Sequence, residues 1–358
     1  MRPGNNATAI NSSNSMFYCQ YSRNLLWDSS DSTFHLILAV MTFIASLPTI
    51  LLNALVIIAI RQIKELQKLS NILLSSLAVT DLLIGVIVMP LCITIDIFIV
   101  LRVSIDHVCS LLLVSRCFGP YLFTATLYHL TIIAWERYVA IQKWMDYKAI
   151  VTKRRLESLA TAAWLSALLT SVPDILMLVV GVDSKFLAAW LTVWAFAWTA
   201  CIIFIAYFYR KAYLGIRNLK TNEISQVSSL MKLKRESKVA KTTALLTAIL
   251  MFSFVPITVI ACLGNVFLVF NIKVVFRFTW AVTQLNSLLN PLLYCYRDRR
   301  FRIAILKLVG VKSPPKKIQP AVDGAGLIIA RKAPTELNNI DNSTILVSQP
   351  RSSNPPVA

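Results

Sequence analysis

A chain of 358 residues with 56% hydrophobic and only 15% charged side chains carries more apolar surface than a soluble domain of this length can bury. The formal net charge of +19 would suit a polyanion, but the lysines and arginines gather at the ends of apolar segments, in 61–68, 143–155, 210–241 and 297–317, which excludes a nucleic-acid partner as the reading. That distribution is the positive-inside pattern of a multi-pass membrane protein, and it assigns those clusters to the cytoplasmic side.

Residues 1–34 are polar and rich in Asn and Ser, with sequons at Asn6-Ala7-Thr8 and Asn11-Ser12-Ser13, so they are expected to form a glycosylated extracellular tail. The polar start has no cleavable signal peptide, and the first apolar helix is expected to be its own insertion signal. Of the seven cysteines, Cys92, Cys117, Cys201, Cys262 and Cys295 fall inside apolar segments. Cys19 and Cys109 alone are expected to face outward, which leaves room for one exposed bridge at most.

Seven apolar segments follow, at about 35–60, 70–98, 108–141, 156–180, 187–216, 237–267 and 274–296. An odd number puts the termini on opposite sides, with the amino terminus outside. The expected fold is therefore an all-α membrane protein, a seven-helix bundle over 35–297. No internal repeat is visible, which argues against a transporter built from two related halves.

In the first segment Asn53 reads as helix-packing glue. In the second, Asp81 sits in mid-helix, where an isolated carboxylate is costly enough to be a functional candidate by default. Asp96, near the outer end of the same segment, faces either a ligand or water. The third segment carries Arg116, Gly119 and Thr126, then ends on Glu136-Arg137-Tyr138 where hydrocarbon gives way to water. Arg137 can simply snorkel to that interface. In the sharper reading it is a latch, neutralised by Glu136 in one conformation and paired elsewhere in another.

The loop after the fourth segment, about 180–186, is short and holds no cysteine. In the fifth segment Phe186, Trp190, Trp194 and Trp198 recur at i, i+4 and share one face. Packing or lipid contact is the ordinary reading of such a stripe, and a recognition wall the sharper one. Pro256 predicts a kink in the sixth segment. The seventh packs Asn286, Ser287, Asn290, Pro291 and Tyr294 together, and each polar group there needs a partner. Residues 298–310 read as an amphipathic interfacial helix, with Phe301, Ile305 and Leu308 on one face and Arg299, Arg300, Arg302 and Lys307 beside it. The remainder, 311–358, is expected to be a disordered cytoplasmic tail. His35, His107 and His129 are scattered and no carboxylates pair on a helix face, so the metal-ligand cluster or acid-base pair of an integral-membrane enzyme is not seen and an enzyme is not expected.

Taken in order, Asn53, the LAVTD run ending at Asp81, Glu136-Arg137-Tyr138, Trp164, Pro256 and Asn290-Pro291-Leu292-Leu293-Tyr294 resemble the rhodopsin-like (class A) G protein-coupled receptors across roughly 35–309. The resemblance implies a plasma-membrane receptor that couples an extracellular ligand to a heterotrimeric G protein. Arg137 would contact the G protein, Glu136 and Glu236 would be its resting partners, and Tyr294 would be an inward-swinging switch. Asp81, Thr126, Asn286, Ser287 and Asn290 match the family's sodium pocket. A sodium ion would neutralise Asp81, and a hydrogen-bonded polar core without an ion is the alternative. No other cofactor is implied. The ligand positions of the resemblance are Asp96, Arg116, Gly119, Trp194, Phe254 and Gln284.

Departures from the family bear on the ligand. The second extracellular loop has no cysteine for the usual bridge, so Cys109 either pairs with Cys19 or stays a free thiol. The fifth helix lacks its usual proline, and Phe254 stands where a tryptophan is common. These departures look most like the melanocortin, adenosine and lysophospholipid receptor group. Gly119 replaces the aspartate of amine receptors, Gln284 the retinal-binding lysine of opsins, and Ala261 the adenine-anchoring asparagine of adenosine receptors. Two ligands remain. One is a lipid whose headgroup meets Arg116. The other is a cationic peptide drawn by Asp96, Asp106, Asp174 and Asp183. From a different class, a transporter or channel would use Asp81 as an ion or proton site. The basic clusters would line the G-protein cleft or bind anionic membrane lipid.

Overall fold

The computed structural model describes residues 31–103, 105–170, 172, 176, 184–221, 253–260, 273–310, 321–322 and 328–329. They form helices α1 (Asp31–Gln62), α2 (Leu69–Val100), α3 (Ile105–Gln142), α4 (Lys153–Leu168), α5 (Ser184–Thr221), α6 (253–260), α7 (Lys273–Arg297) and α8 (Arg299–Leu308). Among the described residues, four helices are long and apolar enough to cross a membrane: Ser32–Gln62, Leu69–Val100, Ser110–Gln142 and Thr192–Gly215. A separate unit, Ser313–Ala358, contains a two-residue antiparallel ladder that pairs Ala321 with Ile329 and Val322 with Ile328.

Helix α3 runs through the middle, packed on α2, α4 and α5. Its inner turns are buried on nearly every side, from Leu122 to Leu127, as a central helix requires. Helix α4 starts where the Thr152 hydroxyl accepts the Arg155 amide at 3.3 Å, a side-chain N-cap. It then turns Leu156, Ala160, Ala163 and Ala167 inward, a helical period with small residues that let it lie close to its neighbours. Helix α5 buries Trp194, Trp198, Cys201, Ile205, Tyr209 and Ala212 and leaves Phe196, Ile203 and Phe204 on the outside. Its tryptophan stripe therefore faces the bundle at Trp194 and Trp198, while Phe186 stays exposed.

Two breaks in regular helix matter for the centre. In α2, residues Ile84–Val88 form one π turn just ahead of Pro90, whose ring cannot continue an ideal ladder. Gly85 in that turn lies so close to α1 that a Cβ would sit 3.0 Å from Ile50 Cγ1, and its carbonyl accepts from the Ser46 hydroxyl at 3.2 Å. In α7, Pro291 has no amide for the carbonyl four residues earlier, that of Ser287. Asn53 Nδ2 of α1 donates to this carbonyl at 2.9 Å. Asn53 is thus packing glue with a specific task. Helix α8 begins where the Asp298 carboxylate accepts the Arg300 amide at 2.9 Å, buries Phe301, Ala304 and Ile305, and stops at Gly310 with φ of 79°.

One buried network joins α2, α3 and α4. His129 Nδ1 lies 2.6 Å from the Ala125 carbonyl, so that nitrogen carries the proton and Nε2 accepts from the Ser76 hydroxyl at 2.8 Å. Trp164 donates its indole N–H to the same Ser76 oxygen at 3.0 Å. Ser76→Ala would leave an indole N–H and a ring nitrogen unmatched inside the bundle, at about 1–3 kcal/mol each. The thermal unfolding midpoint of the purified protein should fall by several degrees, and an unchanged midpoint would remove this network from the fold's support.

Candidate functional site

Functional candidates occupy three levels along the bundle. At one end Glu136 and Arg137, 1% and 6% exposed, form an ion pair with Arg137 Nε 3.0 Å from Glu136 Oε2. The other oxygen of Glu136 accepts the Tyr147 hydroxyl at 2.5 Å. Tyr147 projects from a single helical turn, Tyr147–Ile150, and Arg155 Nη1 at the start of α4 donates to the carbonyls of Ala149 and Ile150 at 3.1 and 2.9 Å. Tyr138 turns to α5 and packs on Phe208 with ring centres 5.7 Å apart. Tyr294 lies against Phe301 of α8 at 6.1 Å. Glu236 lies outside the described residues.

At mid-depth Asp81 is fully buried and its Oδ2 accepts from Asn290 Nδ2 at 2.7 Å. Ser253 of α6 donates to Asn286 Oδ1 at 2.6 Å, and Thr126 donates to Thr80 Oγ1 at 3.3 Å. Asn286, Ser287 and Asn290 are all within 2% of full burial. Among the described residues, Asp81 Oδ1, Asn53 Oδ1, Ser287 Oγ and Asn290 Oδ1 have no hydrogen-bond partner, nor has Asn286 Nδ2. Unmatched oxygens, one of them on a carboxylate, make an all-oxygen donor set of the kind a hard cation takes, so the residues present fit such an ion. Thr126 is turned to Thr80 in this arrangement.

At the other end Asp96 of α2 is buried beneath two basic groups. His35 Nδ1 of α1 lies 2.7 Å from its Oδ1, and the Arg277 guanidinium of α7 pairs with the same oxygen. Asp96 therefore staples three helices. Deeper in, Gln284 Nε2 donates to the Cys92 sulfur at 3.2 Å while Gln284 Oε1 is unmatched. Gly119 is buried against the Trp280 indole, in the space a Cβ would need, and Trp280 meets Phe123 edge-on at 5.0 Å. Trp194 and Trp198 both donate to the fully buried Thr124 hydroxyl oxygen at 3.0 Å, and Phe254 packs edge-on against Trp198 at 5.6 Å. Arg116 is half-buried on α3.

The structure thus brings together Asp81, Asn286, Ser287 and Asn290 at one level and Glu136 with Arg137 at another. Asn6, Asn11, Cys19, Asp174, Asp183 and Ala261, and the side chains of Asp106 and Cys109, lie outside the described residues. Sequence reasoning missed Tyr147, His35, Arg277 and Thr124. For Arg277 a signal existed, since an arginine near the outer end of an apolar segment needs a carboxylate and Asp96 was available. For the others, only the packing selects the partner.

The Asp96–Arg277 pair, with side chains 4% and 16% exposed, can be tested by a double-mutant cycle. Asp96→Asn or Arg277→Gln alone should cost about 3–5 kcal/mol, because each strands a buried charge, and the double variant should cost less than the sum. Thermal unfolding of the purified variants measures this, and strict additivity would mean the pair is not coupled.

Residues 52–294 match the family described as 7 transmembrane receptor (rhodopsin family). Among similar proteins, Adenosine receptor A3 of Bos taurus is 26% identical over 297 residues, covering 76% of this chain and 90% of the relative. Adenosine receptor A2b of Bos taurus is 27% identical over 302 residues, covering 72% and 84%. The 5-hydroxytryptamine receptor 1B of Vulpes vulpes is 25% identical over 378 residues, covering 86% and 94%.

Proposed function

Because the chain belongs to the rhodopsin family of seven-transmembrane receptors, we propose that it binds an extracellular messenger at the Asp96 end of the bundle and activates a heterotrimeric G protein at the Arg137 end. It is a G protein-coupled receptor, an all-α multi-pass membrane protein and not an enzyme. Its place is the plasma membrane, with the amino terminus and the Asn6 and Asn11 sequons outside and 311–358 in the cytoplasm.

One observation supports this reading above the rest: the buried Glu136–Arg137 pair, completed by Tyr147. A buried guanidinium is stable only while paired, so the state with Glu136 engaged is a resting state. A ligand that binds better to an opened bundle shifts the population toward it, and Arg137 then becomes available to the G protein. Pro256 lies inside α6, and a proline there would be the point about which that helix swings.

For the ligand, a lipid-like messenger is favoured over a cationic peptide or a biogenic amine. An ammonium group needs a free carboxylate, and Asp96 is paired with Arg277 and covered by His35. Gly119 offers no side chain and is covered by Trp280. Arg116, on the same helix, suits an anionic headgroup, and the Trp190 indole N–H, unmatched among the described residues, suits an acceptor. 5-Hydroxytryptamine, named in one relative, is set aside on Asp96 and Gly119, and adenosine, named in two others, on Ala261, which stands where adenosine receptors anchor adenine.

Sodium is the proposed occupant of the Asp81 level. Asp81, Ser287 and Asn290 would hold it, with Asn286 and Thr126 at the margin, and it would supply the positive charge that a buried carboxylate otherwise lacks.

Arg137→Ala should abolish G-protein activation in transfected cells while surface expression persists, and Tyr147→Phe should raise ligand-independent signalling severalfold. Coupling that survives in the alanine variant would overturn the assignment. Replacing external sodium by N-methylglucamine should alter basal signalling of the wild type but not of Asp81→Asn. An equal sodium response in both would exclude the ion from this site.

A further inference from the structure

At the Asp96 end of the bundle one carboxylate oxygen is shared by two basic groups from two different helices. Asp96 Oδ1 of α2 lies 2.7 Å from His35 Nδ1 of α1 and also holds the Arg277 guanidinium of α7. All three side chains are enclosed, and the Phe34 ring stands edge-on to the imidazole with centres 5.6 Å apart. Between Phe34 and Ile60, α1 carries no ionisable side chain besides His35. The titratable and charged groups around it, among the described residues, are Asp96 from α2 and Arg277 from α7, with the Cys92 thiol one turn below Asp96.

A guanidinium stays charged at any pH a cell meets, whereas an imidazole changes its charge near neutrality. A carboxylate only accepts, so His35 Nδ1 carries a hydrogen in both states and a proton taken from solvent lands on Nε2. The hydrogen bond therefore persists while the trio goes from neutral to net positive. Two forces follow, and they act in one direction. Charged His35 attracts Asp96 more strongly, and it repels Arg277 across the oxygen they share. Both draw the carboxylate toward α1 and away from α7. The helix released is the one that carries Asn290 to Asp81 and Tyr294 to Phe301.

We propose that His35, Asp96 and Arg277 form a proton-operated switch, in which a proton taken up by His35 hands the Asp96 carboxylate from α7 to α1. Acid outside the cell then acts as a second input beside the messenger, freeing this end of α7 and favouring the opened bundle. That signalling consequence rests on the receptor reading above, and the change of partner does not.

The Asp96→Asn/Arg277→Gln double-mutant cycle, run on the purified full-length protein at about pH 8 and about pH 6, reads the change of partner directly. The coupling of the two residues should fall by about half at the lower pH, because the second cation takes part of the shared oxygen. It should be equal at both in a His35→Gln background, which keeps a donor without a titrating charge. In transfected cells, ligand-independent signalling should rise severalfold as external pH falls over the same range. His35→Gln should flatten that rise, and His107→Gln, the exposed histidine at the same end, should leave it intact. The cell measurement needs only the histidine variants, so it holds if a cycle variant fails to fold. An Asp96–Arg277 coupling that ignores pH overturns the switch, as does a pH response that survives in His35→Gln or vanishes in His107→Gln. A cycle that responds as stated, in a protein silent at every pH, supports the switch and overturns the receptor reading instead.

Discussion

The carbonyl of Ser287 fixes how this bundle closes. Pro291 takes away the amide that would have bonded it, and inside a bilayer no water replaces that donor. Asn53 supplies the bond from α1, which ties the first helix to the seventh at mid-depth. With α7 held there, Asn290 comes within 2.7 Å of Asp81 and Asn286 within reach of Ser253 on α6. Four helices are thereby joined through side chains around one carboxylate. The break in α7 is what exposes polar groups to be shared, so the same proline that weakens the helix creates the centre.

Polar matching is uneven along the bundle, and the unevenness separates structure from function. Among the described residues, the His129–Ser76–Trp164 network and the Thr124 hydroxyl beneath Trp194 and Trp198 leave no buried side-chain nitrogen or oxygen of theirs unmatched. They rigidify the contact of α3 with α2, α4 and α5. The Asp81 level differs, because buried acceptors there remain unmatched. Unmatched buried acceptors are costly, and they persist in a fold when something outside the polypeptide completes them or when the region must rearrange.

Much of this was legible in the sequence because burial makes certain residues expensive. Asp81, Asn290 and the Glu136-Arg137 pair were visible as charges and amides where hydrocarbon was expected, and the seven apolar segments followed from hydropathy. What sequence spacing does not encode is helix rotation and neighbour choice. The Phe186-to-Trp198 stripe was visible as one face, but only packing decides that its inner two tryptophans meet Thr124 while Phe186 stays outside. Gly119 looked like a missing ligand group, and the structure shows a steric reason for it in Trp280. Asp96 looked available, and its cover comes from residues 61 and 181 positions away.

Tyr147 is the residue whose absence from the sequence reading has most consequence. Adjacent residues on a helix point in different directions, so Glu136 and Arg137 do not hold each other by geometry alone. A hydroxyl from outside α3 fixes the carboxylate in place. That hydroxyl depends on the Tyr147–Ile150 turn, whose carbonyls are gripped by Arg155 at the exposed start of α4. The pair at the bundle's end therefore has two supports, the core on one side and the start of α4 on the other. Loosening either one would strip a buried guanidinium of contacts it needs, so this pair is coupled to the exposed start of α4 as well as to the core.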